Sequence, residues 1–199
     1  MEPQTTNFEK FQTGNIVVRR LIGRFFGKIR YYVALRPVSN LLDAGCGEGM
    51  TLYQLNDLLP ESVTAFDLNP SCVEYTKALF PEAAITVQNI YELPYQEKSF
   101  DLVLCMEVME HLPDPLDALR GLKRVAAGRL VLSVPHEPWF RLGSLCRGKY
   151  LKTFGNHPEH INHWSPTSFK AFLEQEFDQV TVDTSFPWII AEVIVTKAP

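Results

Sequence analysis

Residues 41–49 read LLDAGCGEG, an apolar pair and an acid followed by glycines at positions 45, 47 and 49. A short strand is predicted over 38–43, before the glycines, and a helix over 50–59 after them. A second strand over 62–66 ends in Asp67, 20 residues beyond Gly47. A side chain at Gly45 or Gly47 would fill space that a ligand needs, and a carboxylate at this offset can accept hydrogen bonds from both ribose hydroxyls. The stretch therefore predicts a nucleoside site at the carboxyl edge of a parallel sheet.

The residues beside the glycines disfavour a dinucleotide as the ligand. The G-x-G-x-x-G fingerprint needs a glycine at position 50, where this chain has Met50, and Glu48 places negative charge near the expected pyrophosphate. A sulfonium nucleoside, which is cationic and carries no phosphate, fits this charge better. Asp43, at the end of the first strand, can face its ammonium group directly or through water. A nicotinamide oxidoreductase is disfavoured for the same reasons.

The rest of the chain alternates between helices and strands. Apolar residues at helical spacing from Val18 to Val33 predict an amphipathic helix, which Pro37 interrupts. Further helices are predicted over 70–80, 115–126 and 166–174, and further strands over 84–88, 100–105, 130–134, 180–184 and 189–196. This alternation is typical of a parallel α/β sheet, and the last two strands should pair antiparallel because no helix separates them.

Three stretches resemble the successive motifs of class I S-adenosylmethionine-dependent methyltransferases. They are residues 41–49, residues 65–69 (AFDLN) and residues 100–112 (FDLVLCMEVMEHL). The resemblance extends over about residues 38–197. It implies a seven-stranded Rossmann-like class I methyltransferase fold, a mostly parallel sheet in strand order 3-2-1-4-5-7-6 with an antiparallel last strand, and S-adenosylmethionine as the methyl donor.

The same resemblance assigns donor-site residues. It implies that Gly45 and Gly47, with Cys46 as a small buried filler between them, wrap the methionine moiety. Asp67 holds the ribose and Leu68 packs on the adenine. The residues expected at the adenine edge and along the donor pocket are Asn89, Ile90 and Met106. The family usually has Asp where this chain has Asn89, and an amide can still accept a hydrogen bond from the adenine amino group.

The acceptor half is predicted from the histidines, which all follow the fourth strand, at positions 111, 136, 157, 160 and 163. If the acceptor is a hydroxyl, a base should take its proton, and His136 and His160 are the predicted catalytic residues. The hypothesis is O-methylation of a small aromatic or lipid-like molecule. The alternatives are metal-assisted 2′-O-methylation of RNA and a binding protein that senses S-adenosylmethionine without turnover.

A metal site is a further hypothesis. Glu107, Glu110 and His111 stand at i, i+3 and i+4, which gathers them on one face if the turn is helical, and Glu159-His160 could add a ligand. The pattern resembles the metal constellation of small-RNA 3′-terminal 2′-O-methyltransferases, and E-x-x-E-H also occurs in quinone-biosynthesis O-methyltransferases. Because the same string occurs in relatives that bind no metal, none is expected.

The predicted first helix carries most of the charge asymmetry. The chain has a net charge of −4, yet residues 11–36 hold six basic residues and no acid. This helix is expected to cap the pocket with its aromatic residues inward. A second interpretation, together with residues 139–142 (WFRL), is contact with an anionic membrane, and a third is guidance of RNA. Nucleic acid is the less favoured partner.

The remaining predictions concern targeting segments, the cysteines and the domain organisation of the chain. No signal peptide or membrane-spanning run is evident, and four cysteines without CxxC spacing are expected to be reduced thiols in a cytoplasmic protein. We treat 1–199 as a single domain. Its parts are a basic cap helix at 1–37, a cofactor-binding half at 38–134, a substrate lid at 135–165, and a helix with antiparallel strands at 166–199.

Overall fold

A seven-stranded mixed sheet organises the molecule. The computed structural model describes residues 14–137 and 160–195. The strands lie in the order β3-β2-β1-β4-β5-β7-β6. Their bounds are β1 Asn40–Ala44, β2 Ser62–Asp67, β3 Ala84–Val87, β4 Phe100–Met106, β5 Ala126–Pro135, β6 Gln179–Ser185 and β7 Trp188–Ile194. The helices are α1 Ile16–Ala34, α2 Met50–Gln54, α3 Pro70–Leu79, α4 Pro115–Val125 and α5 Pro166–Leu173.

The pairing of the strands confirms the predicted fold and strand order. β1 to β5 run parallel, whereas β7 pairs antiparallel with both β5 and β6. β4 and β5 lie toward the centre of the sheet and are almost wholly buried, which is why β4 and the second half of β5 are nearly continuous apolar runs. Two apolar clusters cover the two faces of the sheet. The carboxyl ends of the parallel strands consequently meet at one edge.

The helix predicted over 50–59 is shorter in the structure. α2 ends at Gln54, and a 3-10 turn follows at Asn56–Leu58. Asn and Asp compete with helical hydrogen bonds through their own side chains, and here Asn56 and Asp57 open the 3-10 turn. Leu52 and Leu55 are still buried, so the apolar spacing identified the inward face correctly.

β5 begins four residues earlier than the predicted strand over 130–134. Its pairing with β4 shifts register between Phe100 and Leu102, opposite Gly128. A Cβ at Gly128 would lie 2.6 Å from the carbonyl oxygen of Asp101, so glycine permits the strands to approach there. The Asp101 carboxylate accepts hydrogen bonds from the backbone N–H groups of Ser39 and Asn40, at the start of β1.

α1 lies against the sheet and extends over its carboxyl edge. Asn15 caps the helix, because its side-chain oxygen accepts hydrogen bonds from the N–H groups of Val17 and Val18. The buried face consists of Phe25, Phe26, Ile29, Tyr32 and Val33. Over the described ranges, 14–137 and 160–195, no helix combines the length and apolarity needed to cross a bilayer.

Candidate active site

A cavity of about 850 Å³ opens at the carboxyl ends of the parallel strands. Its floor is formed by residues 45–48 after β1, Asp67 and Leu68 at the end of β2, and residues 106–108 at the end of β4. α1 and the link between β6 and β7 contribute its apolar walls. Protein pockets for small ligands measure about 300–1,000 Å³, so this cavity is large enough for a nucleoside and a second small molecule.

The glycine turn after β1 depends on left-handed backbone. Gly45, Gly47 and Gly49 have φ angles of +80°, +51° and +74°, a region that favours glycine. A Cβ at Gly47 would meet no heavy atom within 4 Å, so a side chain there would extend into open space along the cavity. At Gly45 an added Cβ would lie 2.5 Å from Val108 Cγ2. Glycine at position 45 therefore also allows Val108 to pack against the turn, which the sequence alone did not reveal.

Asp67 is held in place by the glycine turn. Its two carboxylate oxygens accept hydrogen bonds from the N–H of Gly47, at 2.8 Å, and of Asn69, at 2.9 Å. Each oxygen retains a lone pair for another donor such as a ribose hydroxyl. The neighbouring Leu68 side chain lines the cavity and is 71% exposed. An exposed apolar surface beside an oriented carboxylate matches the predicted adenosine site.

Asp43 is a buried carboxylate beneath this turn. It is 1% exposed, and neither of its oxygens has a hydrogen-bond partner in the part of the chain that the structure describes. Burial, reinforced by the nearby negative charge of Asp67, raises the pKa of Asp43 to about 7. Asp43 does not line the cavity. It contributes negative charge from below, which favours a cationic ligand.

The remaining predicted donor residues, Cys46, Asn89, Ile90 and Met106, also line the cavity. Burial raises the pKa of the Cys46 thiol, which agrees with its interpretation as a buried filler. The Asn89 side-chain oxygen accepts a hydrogen bond from the N–H of Tyr91 at 3.2 Å. This bond stabilises the turn after β3 and leaves the NH₂ group of Asn89 as its hydrogen-bond donor.

The predicted catalytic histidines lie outside the cavity lining. Neither His136 nor His160 is among the described residues that line it, whereas His111 is. His136 is half-buried, its backbone N–H donates a hydrogen bond to the Pro187 carbonyl, and burial lowers the pKa of its imidazole. The catalytic roles of His136 and His160 therefore stay predictions. The geometry adds His111, which the sequence analysis considered only as a metal ligand.

His111, His160 and Glu110 form a compact cluster beside the cavity. One ligand atom from each lies within 4.8 Å of the others, and the two imidazole rings are 4.9 Å apart. The buried Glu110 places Oε1 3.9 Å from Nε2 of His111. Residues 160–164 dock on this turn, since the Glu110 carbonyl accepts hydrogen bonds from the N–H groups of Ile161 and Asn162.

Glu107, Glu110 and His111 do not share one helical face, because the turn that would bring them together is not α-helical. Residues Met109–His111 form a 3-10 turn, and Glu107 has a φ of +58°, outside any helix. The Glu107 carboxylate instead accepts a hydrogen bond from the Ser133 hydroxyl at 3.0 Å and is not part of the cluster. Glu159 and residues 139–142, which entered the metal and membrane hypotheses, lie outside the described residues, as does most of the predicted lid.

Comparisons with known proteins agree with this geometry. The family profile described as "Methyltransferase domain" matches residues 42–132. An aligned stretch of 98 residues is 39% identical to a ubiquinone biosynthesis O-methyltransferase of Xanthomonas campestris and covers 45% of this chain. It covers 41% of that relative, so the alignment spans less than half of the relative's length.

Solved structures share the fold over nearly the whole chain. A SAM-dependent methyltransferase from Aquifex aeolicus superposes with a TM-score of 0.70, at 17% identity, over 98% of this chain and 100% of that one. Magnesium protoporphyrin IX methyltransferase from Synechocystis, solved with bound SAH, gives a TM-score of 0.67 at 18% identity over 96% and 95% of the two chains. At these identities the likeness establishes the fold alone.

Proposed function

We propose that this chain, whose residues 42–132 match the methyltransferase-domain profile of the class I S-adenosylmethionine-dependent methyltransferase family, transfers a methyl group from S-adenosylmethionine to an oxygen of a small acceptor. The observation that carries the proposal is the continuity of the cavity. One continuous space is lined both by the predicted donor residues and by His111 with a set of apolar side chains. Donor and acceptor can therefore meet without crossing solvent.

The donor half fits the cofactor by charge and by shape. The open space at Gly47 would hold the methionine moiety, Asp67 would accept hydrogen bonds from the ribose, and Leu68 would pack on the adenine. The buried carboxylate of Asp43, which has no hydrogen-bond partner among the described residues, would complement a positive charge. Bound S-adenosylmethionine supplies an activated methyl group on a sulfonium leaving group. The chain's remaining task is to align the acceptor and to exclude water.

His111 is the residue that we propose as the base for a hydroxyl acceptor. It lines the cavity directly after β4, the strand that ends beside the glycine turn. Its imidazole can accept the proton that the acceptor oxygen loses. The buried Glu110 carboxylate lies 3.9 Å from Nε2 of His111, next to the imidazole that takes this proton. Replacing His111 by Ala should lower kcat while leaving the affinity for S-adenosylhomocysteine unchanged.

A divalent cation held by Glu110, His111 and His160 is the second candidate for this step. The cluster provides one carboxylate and two imidazoles within 4.8 Å of one another, a donor set that suits Mn²⁺ or Zn²⁺. Such an ion would lower the pKa of a bound acceptor hydroxyl. Turnover that is unchanged after treatment with EDTA supports His111 as base alone, whereas loss in EDTA and recovery with Mn²⁺ supports the cation. An RNA acceptor is disfavoured because the walls near His111 are apolar.

We also propose that α1 makes peripheral contact with an anionic membrane. Ile16 and Val17 are 78% and 63% exposed, and Arg19, Arg20 and Arg24 on the same helix are exposed too. Basic helices with exposed apolar residues bind anionic bilayers. Co-sedimentation with vesicles of phosphatidylglycerol at low salt is expected, and phosphatidylcholine vesicles serve as the control. Absence of binding at low salt would leave α1 as a cap only. A cytoplasmic location also stays a proposal.

Calorimetry and a methyl-transfer assay test the proposed function. S-Adenosylhomocysteine should bind and NADH should not, and a phenol panel with S-adenosylmethionine should yield methyl ethers detectable by mass spectrometry. Asp67→Ala should weaken S-adenosylhomocysteine binding at least about tenfold, the scale of one lost charge-assisted hydrogen bond. Gly47→Val should weaken it by a similar factor, because the new side chain would fill the open space along the cavity and the backbone there has a φ of +51°. Tight binding with no methyl transfer to any acceptor would instead favour the non-catalytic sensor.

A further inference from the structure

The half of the cavity away from the cofactor turn has a distinct wall. We define the acceptor wall as the cavity-lining residues of α1 beyond its first turn and of the β6–β7 link. Its members are Leu21, Ile22, Phe25, Phe26, Phe186, Pro187 and Trp188. Trp188 pairs in register with Pro135 at the end of β5, so the wall lies on the β5–β7 side of the sheet edge. The adenine-side residues Leu68 and Asn89 follow β2 and β3, on the opposite side.

Two aromatic rings form the fixed part of this wall. The rings of Phe25 and Trp188 have centroids 4.8 Å apart and planes inclined by 39°. Phe25 is 5% exposed and packs edge-on against Phe26 at 5.1 Å, so protein supports it from behind. Trp188 is half-buried as the first residue of β7, which bonds to both β5 and β6. The pair is thus a preformed aromatic surface joining α1 to the sheet.

The side chains of the acceptor wall are apolar, apart from the indole N–H of Trp188. Asn15, which precedes α1 and also lines the cavity, already uses its side chain to cap that helix. A sugar or a nucleotide would lose water here without finding enough hydrogen-bond partners. A flat apolar ring would lose little, and it would gain from contact with other aromatic rings beyond the burial of its area.

We propose that Trp188, supported by Phe25, is the platform on which the acceptor's ring lies, and that the acceptor is an aromatic hydroxyl compound rather than an aliphatic lipid. This inference rests on the proposed function, because it places the second substrate of the methyl transfer on the wall. The hydroxyl to be methylated then points away from the platform, toward the β4 end where His111 lines the cavity. Trp188 is the residue that sets the preference for a planar ring.

A matched pair of ligands separates platform binding from general hydrophobicity. 2-Naphthol and decahydro-2-naphthol share one carbon skeleton and one hydroxyl, but only the first is planar, and the saturated compound is the more hydrophobic. Their dissociation constants should be measured by calorimetry with S-adenosylhomocysteine bound, so that no turnover occurs. The native chain should bind 2-naphthol about fivefold more tightly than decahydro-2-naphthol, as expected for an aromatic pair.

Variants of Trp188 locate that preference. Trp188→Leu should remove it, and Trp188→Phe should retain most of it, because phenylalanine keeps an aromatic face. Both variants should keep their affinity for S-adenosylhomocysteine within about twofold, which also shows that they fold. Tyr53→Leu is the matched control, since Tyr53 is 63% exposed and does not line the cavity. It should behave like the native chain.

Three results would contradict the proposal that Trp188 is the platform for the acceptor's ring. They are equal affinities of the native chain for the two ligands, an unchanged preference in Trp188→Leu, and a large loss of S-adenosylhomocysteine affinity in Trp188→Leu, which would assign Trp188 to the donor half. Failure of the proposed function gives a different outcome. The chain would then prefer 2-naphthol by binding, yet would transfer no methyl group from S-adenosylmethionine to it or to any other phenol.

Discussion

Asp43 is the residue whose chemistry depends most on its surroundings. Its carboxylate is 1% exposed and has no hydrogen-bond partner within residues 14–137 and 160–195, so ionisation there is unfavourable. This burial, together with the charge of Asp67, raises the pKa of Asp43 to about 7. A bound cation would offset part of this effect, because its positive charge stabilises the ionised carboxylate of Asp43. Cofactor binding and the protonation of Asp43 are therefore linked near neutral pH.

The affinity for S-adenosylmethionine should consequently rise with pH. Below about pH 7 Asp43 is protonated in the unliganded protein, so the dissociation constant should increase by up to about tenfold for each unit of pH lost. Asp43→Asn should bind more weakly at pH 8 and lose most of this dependence. Calorimetry from pH 5.5 to 8.5 measures both, and Glu61→Gln, a change at an exposed carboxylate, is the control. A flat profile in the native chain would contradict the linkage.

The same shift has an opposite sign for the stability of the unliganded protein. Because the folded-state pKa of Asp43 lies above its ordinary value of 3.8, the folded state retains the proton longer than the unfolded chain. Its contribution to stability is present below about pH 4 and is lost as the pH rises through 7. Asp43→Asn should thus unfold at a higher temperature than the native chain at pH 8, and this difference should shrink toward pH 4.

Two glycines in different elements should respond to alanine in opposite directions. Gly27 is inside α1, and an added Cβ meets no heavy atom within 4 Å, so Gly27→Ala should stabilise by about 0.5–1 kcal/mol. Gly128→Ala places a Cβ 2.6 Å from the Asp101 carbonyl oxygen and should destabilise. Urea denaturation of both variants measures the difference. Similar effects of the two changes would mean that the strand approach at Gly128 is unimportant.

Arg129 attaches the end of α1 to the sheet. This buried side chain of β5 donates hydrogen bonds to the carbonyls of Tyr32 and Val33 in the last turn of α1, and it forms a 3.0 Å ion pair with Glu192 of β7. A cation at a helix C-terminus also complements the helix dipole. The cap helix is therefore fixed at its distal end, away from the cavity.

Removing one member of this buried pair should be costly. Arg129→Met leaves the Glu192 carboxylate buried and unpaired, and the free energy of unfolding should fall by about 3–5 kcal/mol. Arg129→Met with Glu192→Met should recover part of the loss, because no uncompensated charge remains. A double-mutant cycle in urea gives the coupling. Additive losses would show that the helix carbonyls, and not Glu192, are the important partners of Arg129.

The bounds of helices and strands were predicted well where apolar spacing and proline positions agree with the tertiary structure. The apolar runs of β4 and β1 and the Pro-initiated helices α3, α4 and α5 lie within a few residues of their predicted bounds. β5 was predicted too short because Gly128 and Arg129 are atypical of a buried strand. Their presence is explained by the close approach to Asp101 and by the ion pair with Glu192, contacts between residues far apart in sequence.

At the scale of the whole molecule, the donor half was predictable and the acceptor half was not. The glycine turn and Asp67 form a local motif, whereas the acceptor wall combines α1 with the β6–β7 link, which are separated by most of the chain. The histidine that lines the cavity could not be identified from the local sequence either. The string EVMEHL suggests a helix, but the positive φ of Glu107 breaks it and leaves His111, rather than His136 or His160, along the cavity.

Ligand binding should stabilise the folded molecule as a unit, because the cavity is bounded by α1, four strand ends and the β6–β7 link together. S-Adenosylhomocysteine at about 100 times its dissociation constant adds about 2.7 kcal/mol to the free energy of unfolding. For a chain of this length, that should raise Tm by about 5–10 °C. NADH at the same concentration should leave Tm unchanged, and Gly47→Val should lose the response to S-adenosylhomocysteine. If S-adenosylhomocysteine and NADH shifted Tm equally, the cavity would lack the selectivity for a sulfur nucleoside that Glu48, Met50 and Asp43 imply.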